Sequence, residues 1–156
     1  MKKTSLFAFA ISILLGLSAM ADSWYFNFDG GFGIYQPLGW TVQENGRSAR
    51  LIGPENDFEQ TEIFIGSDWD GKIKTLEALK RKLTRENPGA EVQDVSVSDL
   101  HGYRVGNSQK GSMHLLRVEE NVIVVEYEIK GSTRQKKEGE TALSSIEIKT
   151  GGIEYP

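Results

Sequence analysis

Val122-Ile123-Val124-Val125-Glu126-Tyr127-Glu128-Ile129 is the stretch from which the fold is read. In an extended chain successive side chains point to opposite faces. Ile123, Val125, Tyr127 and Ile129 then share one face, while Glu126 and Glu128 point the other way. A helix would scatter these residues around its circumference; a half-buried strand sorts them. Residues 113–119 alternate in the same manner, and Glu120-Asn121 joins the two runs as a hairpin. In the first run His114 falls on the face of Leu116 and Val118.

The alternation continues in both directions along the chain. Strands are predicted at 24–28, 32–35, 40–43, 49–52, 61–65, 92–97, 103–105 and 146–148, with His101-Gly102 at a turn. Asn45-Gly46 is the strongest short hairpin signal, because both residues tolerate the positive φ of a type I′ turn. One good helix begins at Thr75, a side chain able to accept from the first turn, and runs to about Glu86 before Asn87-Pro88-Gly89 stops it. Leu76, Leu79 and Leu83 form its apolar stripe; Lys80, Arg81, Lys82 and Arg85 occupy the remaining circumference as a solvated face. A shorter helix is predicted over 135–143. Of the aromatics Trp24, Tyr25, Phe26, Phe28, Phe32, Tyr35 and Trp40, most are expected to fill the core.

The N-terminus reads as a signal peptide over residues 1–21. Lys2 and Lys3 precede an apolar run over 6–17, and Ala19-Met20-Ala21 supplies small residues at −3 and −1 for cleavage before Asp22. That run is too short for the roughly 20 apolar residues of a membrane span. A periplasmic or secreted chain over 22–156, forming one domain with no stable membrane span, is the expectation. The 156-residue chain carries a formal charge of −4, which becomes −6 once Lys2 and Lys3 are removed. That balance argues against nucleic acid as a partner. The absence of cysteine excludes disulfides, thiol catalysis and a lipidated N-terminal cysteine.

The run Tyr35-Gln36-Pro37-Leu38-Gly39-Trp40-Thr41-Val42 resembles the Y-x-P-x-G-W-x-V opening of the PsbP/Mog-like superfamily. Leu143-Ser144-Ser145-Ile146-Glu147-Ile148 is similar to the helix-to-strand ending of those proteins. The resemblance implies an α+β chain, an α/β/α sandwich on a bent antiparallel sheet with flanking helices, used for binding partners and not for catalysis. It transfers no catalytic residue.

Chemistry has to be sought independently. His101 and His114 are the two near-neutral bases, and neither lies in a G-x-S-x-G or H-E-x-x-H context. No catalytic residue and no bound cofactor are therefore expected. Residues 66–77 follow the register of a calcium loop: Asp68 and Asp70 at positions 3 and 5, Gly71 at 6, Ile73 at 8 and Glu77 at 12. Gly66 replaces the first ligand, so weak calcium binding stands beside an ordinary strand-to-helix turn. Glu55, Asp57 and Glu59 form an acidic loop that offers a small hydrolase as a further alternative. The leading expectation is a non-enzymatic exported binding or accessory protein of the envelope, presenting a protein-interaction surface. Trp69 and the basic residues Lys80, Arg81, Lys82 and Arg85 are its expected edge.

Overall fold

A computed structural model describes residues 22–54, 59–68, 72–117 and 121–149. Ten strands and two helices follow one another: β1 (Ser23–Asn27), β2 (Phe32–Gln36), β3 (Thr41–Asn45), β4 (Ser48–Ile52), β5 (Glu62–Asp68), α1 (Leu76–Glu86), β6 (Val92–Val97), β7 (Leu100–Gly106), β8 (Lys110–Arg117), β9 (Asn121–Glu128), α2 (Thr133–Ser144) and β10 (Glu147–Ile148). The strands form two antiparallel sheets. The large one has the order β3-β4-β5-β9-β8-β7-β6, and the small one has the order β1-β2-β10.

The alternation in the central strands sets the layers. Ile123, Val125, Tyr127 and Ile129 project with Met113 and Leu115 into the main core, where they meet Phe32 and Ile34 of the small sheet and Ala142 of α2. Val122, Tyr103 and Val105 project to the other face, where Leu79 and Leu83 of α1 close a second core. The α/β/α sandwich expected from the resemblance does not hold. Strands take 49% and helices 20% of the described residues, and the face opposite α1 is covered largely by a second sheet. The physical reason is in the pattern itself: only two runs carry helical period, so a sheet must cover what helices cannot.

Local signals hold closely. The Thr75 hydroxyl accepts from Ala78 N–H at 3.1 Å to cap α1, and Ser132 caps α2 through Gln135 N–H at 3.1 Å. Leu79 and Leu83 are buried as predicted, whereas Leu76 lies at the rim, 36% exposed. The first hairpin is shifted by one residue: Asn45 pairs with Ser48, so the loop is Gly46-Arg47. Its positive φ is at Gly46 alone, the pattern of a turn with glycine in the first loop position. The turn expected at His101-Gly102 lies instead at Ser98-Asp99, since Val97 pairs with Leu100. Ser98 takes a φ of 53° there, and its hydroxyl accepts from Ile148 N–H at 3.0 Å, tying the large sheet to β10.

Candidate functional site

Strand β1 divides its side chains by parity. Tyr25 and Asn27 turn inward: the Tyr25 hydroxyl donates to Glu44 at 2.8 Å, and Asn27 Nδ2 donates to the Gly46 carbonyl at 2.9 Å. Asn27 Oδ1 accepts from Gly30 N–H at 2.6 Å. These bonds satisfy Asn27, which is 1% exposed, and lock β1 against the tip of the β3–β4 hairpin. Burial first, then the Glu44 bond, push the Tyr25 phenol well above its ordinary range, so it stays a donor.

The residues between them turn outward. Trp24, Phe26 and Phe28 are 47%, 50% and 53% exposed. Their rings form a continuous row: Trp24 stacks on Phe26 at 6.1 Å between centroids, and Phe26 on Phe28 at 6.3 Å. Tyr35 meets Trp24 edge-on at 6.3 Å from the neighbouring strand. Phe26 lies over Gly33, its cross-strand partner; a Cβ there would fall 2.8 Å from the ring. A shallow cleft of about 200 Å³ opens beside Phe26 and Phe28, with Glu147 and Lys149 at its rim.

This row corrects the expectation that most N-terminal aromatics fill the core. Phe32 and Trp40 are buried, but the small sheet has only one covered face; parity places Trp24 and Phe26 on the other, and Phe28 stacks on Phe26 from the turn after β1. The signal was present in the sequence: a strand reading Trp-Tyr-Phe-Asn-Phe has apolar residues on both faces, and Asn27 identifies the face that carries polar bonds.

The predicted basic face is less exposed and more compensated than expected. Lys80, Arg81 and Arg85 lie on the outer side of α1, but Lys82 is on its flank and pairs with Asp68 at 3.4 Å, its side chain 20% exposed. Arg81 pairs with Glu77 at 3.3 Å, and Lys80 sits 5.7 Å over the Tyr103 ring. Asp68 ends β5 and Glu77 lies in the first turn of α1, so both carboxylates of the calcium register that are described face a cation. No group of three or more metal-ligating residues occurs among the described residues. Trp69, Asp70 and Gly71, like Glu55, Asp57, residues 118–120 and the signal segment 1–21, lie outside the described residues. Glu59, the remaining member of the acidic loop, lies near Lys130.

On the α1 side of the large sheet a groove of about 460 Å³ runs between Arg50, Phe64, Ser112, Glu126 and Glu128. Here the structure brings together a pair that sequence spacing alone did not reveal. The Ser112 hydroxyl and His114 Nε2 are 2.8 Å apart, which positions i and i+2 on one strand face permit. Burial holds the His114 imidazole below its ordinary value, with nearby Glu126 opposing, so the ring is neutral at pH 7. Both residues sit in mid-strand between paired neighbours, where the backbone N–H groups that would stabilise an oxyanion are committed to the ladders.

No family model matches the chain, and no curated protein is similar to it. A crystal structure of a Bacteroides thetaiotaomicron VPI-5482 protein is similar at 19% identity and a TM-score of 0.47, over 84% of this chain and 50% of that one. The chain thus spans half the length of that protein.

Proposed function

We propose that this chain is an exported, non-enzymatic binding or accessory protein of the cell envelope, periplasmic or secreted, that acts through the Trp24-Phe26-Phe28 row. One observation carries the reading: three large aromatic side chains, each about half exposed, form one row over the outer face of β1 and the turn that follows it. Large aromatic side chains bury about 150–250 Å² each, so the exposed halves present roughly 300 Å². At about 25 cal/mol/Å² that is about 7 kcal/mol of gross driving force for a partner, before the costs of association. Scattered exposed apolar residues are ordinary on a surface; a contiguous aromatic row is not. The acidic residues Glu77, Glu86 and Asp68 around α1 offset most of its positive charge, which favours the row over the basic helix as the contact surface. The Lys2-Lys3 start, apolar run and Ala19-Met20-Ala21 ending support export.

The test is capture from the native envelope by immobilised protein. The Trp24→Ser/Phe28→Ser double variant should keep its thermal midpoint and lose its partner. The Lys80→Ser/Arg81→Ser/Arg85→Ser variant should keep both. A double variant that retains its partner at full yield removes the row from the function.

A further inference from the structure

We infer that the row is covered by a second copy of this chain, through antiparallel pairing of β1 with β1 along their free edges. The inference rests on the reading of the row as a contact surface and names its occupant.

Backbone direction decides which groups of β1 are committed to β2. Tyr35 N–H donates to Ser145 Oγ at 2.9 Å, on the side of β2 away from β1. Lys149 N–H donates to the Gly31 carbonyl at 2.8 Å on that same side. Backbone groups alternate along a strand, so Phe32, Ile34 and Gln36 face β1, and their partners Asn27, Tyr25 and Ser23 take the ladder bonds. Trp24 and Phe26 therefore direct their N–H and C=O groups to the outer edge. β1 is the terminal strand of its sheet and pairs with β2 alone among the described strands.

Edge strands are normally protected by a lysine, a proline or a bulge. Ser-Trp-Tyr-Phe-Asn has no charge and no proline, and all five residues pair with β2 without a bulge. What such an edge accepts is another extended strand. The strand is also complementary to itself. With Tyr25 on a two-fold axis, each Trp24 faces Phe26 of the other copy and each Ser23 faces Asn27, so the pairing stays within β1. The two Trp24–Phe26 pairings are those in which outward backbone groups meet. The Trp24 and Phe26 rings of both copies then lie on one face of a continuous six-stranded sheet, with Phe28 stacked on Phe26 at each end.

Roughly 300 Å² of ring per copy is well below the ~800 Å² per partner of a standard interface, so the dimer is weak. Sedimentation velocity on the exported chain, residues 22–156, should move from monomer to dimer between about 5 and 500 μM. Phe26→Val keeps the edge donor and loses the ring, and should weaken association about tenfold. Phe26→Pro removes a donor that β2 does not use, and should leave a folded monomer at every concentration. Hydrogen exchange on the unmodified chain is independent of any variant. The Trp24 and Phe26 amides should exchange at least about tenfold more slowly at the high concentration, while the Tyr25 and Asn27 amides stay protected throughout.

A dimer that persists in Phe26→Pro overturns the inference. So does an unmodified chain that is monomeric at the highest concentration with fast Trp24 and Phe26 amides. If that monomer's envelope capture still depends on Trp24 and Phe28, the row meets a different protein and the functional reading stands. If it does not, both fall.

Discussion

Replacing Thr61 by Val tests how the start of β5, the end of β9 and α2 are held together. Thr61 is fully buried. Its hydroxyl donates to the Lys130 carbonyl at 2.7 Å and accepts from Lys130 N–H at 2.8 Å. Its own N–H donates to Gln135 Oε1 at 2.7 Å. Valine preserves the shape and removes the hydroxyl alone, leaving two backbone groups of Lys130 without their partner. Each such orphan costs about 1–3 kcal/mol, so the pair should cost about 2–6 kcal/mol of the 5–15 kcal/mol that ordinarily holds a domain. At roughly 3–4 °C per kcal/mol for a chain of this size, the thermal midpoint should fall by about 6–24 °C. Urea denaturation followed by far-UV circular dichroism measures the change in free energy, with the slope unchanged if only the folded state is affected. Thr61→Ser, which keeps both bonds, should lose much less. A Thr61→Val loss under about 0.5 kcal/mol would refute the claim that these bonds are made in a water-free interior.

Gly102→Ala should prevent folding: a Cβ there would collide with the His114 carbonyl and lie 2.8 Å from Leu115 Cα, both backbone in the adjacent strand. Soluble expression with a native circular dichroism spectrum would contradict that geometry. Because burial lowers the folded-state value of His114, the unfolded chain takes up that proton first as pH falls through about 6.5. Stability should therefore be flat above that point and decline below it until the lower folded value is passed. The urea midpoint between pH 7.5 and 5.5 measures this, and His114→Gln should flatten the slope. An unchanged slope would assign the pH dependence elsewhere. Mass spectrometry of the exported protein should give Asp22 as its first residue, and an intact Met1 would count against cleavage.

How much of this was legible beforehand can be seen strand by strand. Parity alone assigned Ile123, Val125, Tyr127 and Ile129 to one face, and the core contains all four. Thr75 and Asn87-Pro88-Gly89 bounded α1 to the residue, because capping and chain termination act within one turn. These are local effects, set by a few adjacent side chains. The turn at Gly46-Arg47 already escaped local reasoning, because Asn27, nineteen residues away, holds the Gly46 carbonyl.

The sequence by itself determined which residues alternate, where α1 begins and ends, the negative charge and the absence of thiol chemistry. Only the tertiary structure decided which face of each strand is covered. Trp24 and Phe26 look like core residues in a one-dimensional reading, and they lie outside because β1 belongs to a three-stranded sheet with a single packed side. Ser112 and His114 meet for a related reason, as neighbours on a face that α1 only partly shields. Covering a face is a non-local event: it depends on which other elements arrive there, and the period of a strand carries no record of that.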